Sequence, residues 1–249
     1  MRRIKRTCRV TVLVLTAMSF VSFAFGYEHE RTINRTFPLN PEGVLRLETV
    51  RGSIYLSTHA GHEVTIKATL MADEKSELDK ADIKFETAAG LAAVSAMDSM
   101  AQLKVDIAYD VKVPEKLASV YIITLNGKID CRGEYGQIDL KAFNGGIDFN
   151  GNFTGCRLTS GNGDIDVDMR NILSGNITGE TGNGSILLRL RPESQFTIEG
   201  STRTGSIRSD FETTITNEFM ETGIKGTVGE GTYQVRLKAV NGDIRLRKK

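Results

Sequence analysis

Tryptophan is absent, histidine and cysteine occur three times each, and proline four times among 249 residues. Without tryptophan, and with phenylalanines falling mostly at inward or corner positions of the pattern described below, no aromatic platform for sugar rings is evident. No histidine stands beside a serine or cysteine in a nucleophile motif, so a triad hydrolase finds no support. His59 and His62 sit in STHAGHEV, where an HxxH pair holds a metal only if further ligands arrive from afar. They read as loop histidines, and neither a metal nor a cofactor is expected.

Cysteine is too scarce for a disulfide framework. Setting aside Cys8 near the start leaves Cys131 and Cys156, both at positions predicted to point inward. Opposed sheets lie about 10 Å apart, whereas a disulfide needs Cα atoms about 4.4–6.8 Å apart. A bond therefore forms only where the layers narrow, and two buried thiols are the alternative.

A strong charge of either sign is also missing, with 32 basic and 31 acidic residues. Five of the basic residues and none of the acidic ones lie in MRRIKRTCR, which precedes the apolar VTVLVLTAMSFVSFAF and the small residues Ala24 and Gly26. That is the layout of a secretory leader over 1–26, cleaved before Tyr27. The apolar run is short against the about 20 residues of a spanning helix, an uncleaved anchor being the alternative. The exported product would carry 27 basic against 31 acidic residues, which excludes a nucleic-acid binder with its basic face. No later run is long enough to span a membrane, so the expected place is periplasmic, cell-surface or secreted.

Glycine is what the chain has in quantity, and 20 of its 25 glycines follow residue 120. A first region, 27–119, holds alternations such as VTIKATL and LKVDIAYDV around the charged stretch DEKSELDKADI, read as a solvated connection or a helical turn. The second, 120–249, repeats a phrase: NGKIDC at 126, NGGIDF at 144, NGDIDV at 162, NGSILL at 183, TGSIRS at 204 and NGDIRL at 241, with a forerunner RGSIYL at 51. The recurring residues are Asn126, Gly127 and Ile129; Asn144, Gly145 and Ile147; Asn162, Gly163 and Ile165; Asn183, Gly184 and Ile186; and Asn241, Gly242 and Ile244. Successive offsets of 18, 18, 21, 21 and 37 leave room for a decayed copy within FETTITNEFMETGIKGTVGEG.

Between copies lies a looser strand such as GQIDLKA, so each unit holds two short alternating runs with one buried and one wet face. A strand that short cannot bury its face alone, and a period near 20 is what stacked coils produce. The expectation is an all-β parallel β-solenoid of NGxI coils preceded by a β-rich region. NG would mark a corner with positive φ, and isoleucine would stack on its own copy. Asn126, Asn144 and Asn162 would bond along the stack. An antiparallel sandwich or meander with NG hairpin turns is the rival.

The phrase VP followed by T-x-NG-x-I about every 20 residues, then RLRPESQFTIEGSTRTGSIRSDF and the closing GEGTYQVRLKAVNGDIRL, resembles the bacterial putative-adhesin family of β-strand-repeat proteins. The resemblance implies an exported or envelope-associated β-helical protein and supplies no catalytic residues.

The sharpest candidates for binding are Asp130, Asp148 and Asp166, which a stack would place on one outer face about 4.8 Å apart. Crowded carboxylates are relieved by a cation, by carbohydrate hydroxyls, or by the neighbouring Lys128, Arg132 and Arg157. The reading is a non-enzymatic exported protein whose repeated side chains meet an envelope protein or glycan. A polysaccharide-acting β-helix enzyme and an envelope-stress accessory protein are the alternatives.

Overall fold

The computed structural model describes residues 26–97, 101–218 and 221–249; the expected leader, apart from Gly26, falls outside them. The described chain is all-β with mixed parallel and antiparallel pairing and one short helix. Its first part forms β1 (His29–Pro38), β2 (Val44–Arg51), β3 (Ser53–His59), β4 (Glu63–Ala72), α1 (Lys75–Lys80), β5 (Lys84–Ala88), β6 (Leu91–Ala96), β7 (Asp106–Pro114) and β8 (Leu117–Asn126). The repeats form β9 (Ile129–Asn144), β10 (Ile147–Asn152), β11 (Gly155–Asn162), β12 (Ile165–Met169), β13 (Asn176–Asn183) and β14 (Ile186–Leu190). Then follow β15 (Phe196–Thr204), β16 (Ile207–Ser209), β17 (Thr214–Glu218), β18 (Glu221–Val228), β19 (Tyr233–Asn241) and β20 (Ile244–Lys248). α1 arises in the charged stretch and buries only Leu78.

Motif strands and looser strands go to two different sheets. The first runs β1-β4-β7-β3-β9-β10-β12-β14-β20-β16. The second runs β5-β6-β2-β8-β9-β11-β13-β19-β15-β18-β17. β9 serves both, its first residues pairing with β10 and its later ones with β8 and β11, with Gly133 at φ 135° near the crossing. Pairing is parallel throughout the centre, and antiparallel ladders occur only at the two ends. A meander of NG hairpins would have run its central strands antiparallel.

Register explains the repeated isoleucine. Ile54, Ile129, Ile147, Ile165, Ile186, Ile244 and Ile207 are consecutive ladder partners. All are at most 6% exposed. Each such side chain contributes roughly 1.5–3 kcal/mol by leaving water. The second sheet answers with its own columns, among them Ile122, Leu140 and Leu158, all fully buried.

The order of rungs in space differs from their order in sequence. β20 pairs on one side with β14 and on the other with β16, so the copy at 241 lies between those at 183 and 204. The 37-residue offset is therefore no skipped pair of coils, and the last strand is no free edge guarded by Arg245, Arg247, Lys248 and Lys249. The segment expected to hold a decayed copy is instead the antiparallel pair β17–β18, which carries the chain back to fill the vacant rung. Asp243 fastens the insertion by accepting hydrogen bonds from the Ser206 backbone N–H at 2.9 Å, the Ser206 hydroxyl at 3.0 Å and Arg245 at 2.7 Å. These bonds, the backbone one first, hold its carboxyl below the usual carboxylate range, so their support is present above that range and lost as acid protonates the group. The N-terminal end repeats the device, since β2 and β3 lie between β6 and β7 on one side and β8 and β9 on the other.

The corner glycines answer to close approach as well as to dihedral angle, five of the six having the expected positive φ, at 150–157°. A Cβ on Gly127, Gly145, Gly163, Gly184, Gly242 or Gly205 would stand 2.0–2.4 Å from the carbonyl oxygen of the glycine one rung away. Gly145 is as closely approached as the others although its φ lies outside the left-handed region. None of the motif asparagines has positive φ, so asparagine recurs for another reason, taken up below. Thr124, Ser160, Thr181 and Thr202, each two residues before the Asn or Thr of the phrase, donate 2.7–3.0 Å hydrogen bonds to the corner carbonyls of Gly52, Gly145, Gly163 and Gly242. These buried hydroxyls satisfy acceptors that the turn would otherwise strand.

Cys131 and Cys156 are free and buried, which corrects the disulfide considered above. They sit on strands of opposite sheets. Burial pushes the Cys131 thiol up to about 12 and raises Cys156 well above its ordinary value. Both thiols should resist iodoacetamide in the native protein at mildly alkaline pH, and both should be alkylated in guanidinium without reductant, as peptide mass spectrometry would record. Failure of unreduced, denatured protein to alkylate would show a bond.

Gly163→Ala should cost about 3 kcal/mol in urea unfolding because backbone atoms must part. Gly90→Ala meets no neighbour at φ 77° and should cost only about 1 kcal/mol. Equal costs would remove the close-approach explanation.

Candidate functional site

Three rows of outward side chains follow from the in-register rungs. The first is an amide ladder at the corner. Asn144 donates to Asn126 at 3.0 Å, Asn162 to Asn144 at 2.8 Å, Asn183 to Asn162 at 2.7 Å and Asn241 to Asn183 at 2.7 Å. Asn126 closes the row by donating to the Val50 carbonyl at 3.3 Å. Each of the three inner amides, Asn144, Asn162 and Asn183, uses one N–H and its oxygen on its neighbours, which aspartate, having no N–H, could not do. This is why asparagine recurs at an exposed position. Asn144→Ala should therefore cost about 1–2 kcal/mol, two bonds being lost, and Asn144→Asp should cost no less at neutral pH. Chemical denaturation checks both.

The second row is the carboxylate ladder on the first sheet, where Asp148 is the register partner of both Asp130 and Asp166. Each has its own cation: Arg132 reaches Asp130 at 2.9 Å, Lys128 pairs with Asp148, and Arg189 pairs with Asp166. Arg157, expected to help, lies on the opposite sheet as the register partner of Asp139, and Arg189 takes that part. The row ends where Asp166 meets Leu187. A chain of internally paired aspartates offers a cation little unspent charge, and among the described residues no group of three His, Cys, Asp or Glu could hold a metal ion. His59 bonds the Glu63 carbonyl at 2.9 Å across its own loop.

The third feature had no signal in the reading of the motif, because it lies on the looser strands. An open groove of about 570 Å³ crosses β8, β9, β11, β13 and β19 on the outer face of the second sheet. A smaller trough of about 400 Å³ over β15, β18 and β19 shares Gln234 and Arg236 with it, so the two are contiguous along the stack. Two adjacent columns line it: Gln137, Gly155 and Asn176 in one; Tyr121, Asp139, Arg157, Thr178 and Arg236 in the other. The Gln137 side chain lies over Gly155, its Oε1 2.1 Å from where a Cβ would stand. Tyr121 lies under both Arg46, 5.0 Å from its ring centre, and Lys141, at 5.2 Å. Asp139 is held by Lys141 at 3.5 Å and Glu199 by Lys225 at 3.5 Å. Arg157 and Arg236 are exposed and have no hydrogen bond or ion pair among the described residues.

Fold and surface together define a repeat protein: an all-β chain whose parallel rungs carry rows of like side chains on outer faces. The chain belongs to the Toastrack DUF4097 family, which matches residues 43–247. This bears out the resemblance carried by the NGxI phrases. Among solved structures, a putative cell adhesion protein from Clostridium sporogenes is 15% identical with TM-score 0.44, covering 88% of this chain and 100% of its own. A putative adhesin from Bacteroides fragilis is 13% identical with TM-score 0.43, covering 87% and 97%. No curated protein matches this chain. No helix among the described residues is long and apolar enough to cross a membrane.

Proposed function

We propose that the protein is an exported, non-enzymatic, adhesin-like β-repeat protein: a flattened parallel β-solenoid offering a repetitive interaction surface in the cell envelope. The observation that carries this reading is the in-register pairing of outward residues, which multiplies one side-chain arrangement along the stack. Many weak, evenly spaced contacts suit a repetitive partner, because each engaged contact raises the effective concentration of the next. Export rests on the leader pattern over 1–26. The carboxylate ladder, neutralised rung by rung, is a solvated face in this reading rather than a pair of poised acid and base groups.

Fractionation of cells producing the complete chain, with a photocrosslinking residue at Thr178, tests the proposal. The expected result is protein outside the cytoplasmic membrane, beginning at Tyr27 by mass, and crosslinked to an envelope protein or glycan. Retention in the cytoplasm with the leader intact, or turnover of envelope glycans abolished by Asp148→Asn, would overturn it.

A further inference from the structure

We infer that the groove on the second sheet is a binding site for an acidic polysaccharide lying along the stack, with a carboxylate on alternate sugars. The inference rests on the interaction-surface reading above and names its ligand class. Direction comes first. The groove runs across the strands, over β8 to β15, a span of six strands or about 24 Å at the interstrand spacing. That is long enough for several sugar units and too open to enclose a small molecule.

Charge comes second. Arg157 and Arg236 stand in one column with Thr178 between them, so they are two rungs, roughly 10 Å, apart. An extended pyranose chain advances by about one rung per sugar, so carboxylates on alternate sugars fall into step with the two guanidiniums. Each planar fork binds a carboxylate through two parallel N–H donors. The neighbouring acids, Asp139 beside Arg157 and Glu199 beside Arg236, are paired with Lys141 and Lys225 at 3.5 Å each, and although Asp139 Oδ1 accepts no hydrogen bond, neither acid is bonded to an arginine. Gln137 and Gln234 are exposed in the other column and offer both donors and acceptors to sugar hydroxyls.

An acidic peptide is the competing occupant, and the sheet argues against it. A peptide gains affinity on a β-structure mainly by adding a strand at an edge. Here the groove lies on a face whose strands are paired on both sides, and a peptide crossing them finds no ladder to join. Recognition must come from side chains, and those present are amides, hydroxyls, guanidiniums, lysine-paired carboxylates and the Tyr121 ring rather than apolar pockets.

The test is calorimetric titration of the purified protein, expressed from the complete sequence, with an octasaccharide alternating glucuronate and N-acetylglucosamine. The expected result is saturable binding that weakens with added salt. Binding should fall about ten-fold or more in the Arg157→Gln, Arg236→Gln double variant. The same loss is expected when the sugar carboxylates are reduced to alcohols. Arg132→Gln on the opposite sheet should bind as the unaltered protein does, and circular dichroism should show both variants folded. No saturable binding, undiminished binding by the folded double variant, equal binding of the carboxyl-reduced chain, or equal affinity for poly-glutamate would each overturn the inference. Loss of oligosaccharide binding with crosslinking to an envelope component retained would refute this ligand while leaving the proposed function standing.

Discussion

Everything in this structure depends on how closely one rung lies on the next at the corner. Glycine carbonyls there face the α-carbons of the neighbouring rung so tightly that no side chain fits. A corner that tight fixes the register of both flanking strands, because a slip by one residue would present a side chain to the carbonyl and turn the isoleucines outward. The buried threonine or serine hydroxyls then satisfy the same carbonyls from within, and the asparagine amides satisfy one another from without. One close approach thus accounts for four recurring residue types: glycine by space, threonine and asparagine by hydrogen bonding, isoleucine by the register that results.

Much of this was legible in the sequence because a stacked repeat writes its contacts at fixed intervals. The period located the rungs, and alternation located the buried face. Three things escaped for physical reasons. Nothing in a periodic sequence says that the copy at 204 docks against that at 241 rather than against that at 183, since all three present the same corner. Spatial order is settled by connections, here the β17–β18 hairpin, whose residues carry no motif. The groove escaped because its residues vary from rung to rung: Asp139, Arg157 and Thr178 share a column yet share no chemistry a pattern search would align. Arg157 lies on the other face from Asp130 and Asp148, beside Asp139, a placement visible only once β9 crosses from one sheet to the other.

The displaced rungs at both ends bear on a problem every open sheet has. A parallel stack finishes in exposed backbone groups that invite a further copy. Here the outermost C-terminal strand of the first sheet, β16, is only three residues long, and that of the second, β17, is the polar sequence TITNE. The last rung in sequence is instead held on both sides, so the chain's end is pinned inside the stack rather than left to fray. Asp243 binds the inserted rung to Ser206 of the rung outside it, and the outermost strands are thereby fastened to the core through side chains as well as ladders.

The two outer faces then divide the electrostatic work. On the first sheet like charges are stacked and must be neutralised locally, and the cations that do so come from the same rung for Asp130 and from adjacent rungs for Asp148 and Asp166. Those charges are spent on one another, and little field reaches a partner. On the second sheet the acids beside the groove, Asp139 and Glu199, are paired with lysines while Glu48 on β2 takes Arg46, which leaves Arg157 and Arg236 with their donors unspent. A guanidinium is more weakly hydrated than an ammonium and loses less on meeting an anion. Within the groove, lysine goes to the internal pairs and arginine stays open, which puts the groups best suited to an external carboxylate where a long ligand can reach them.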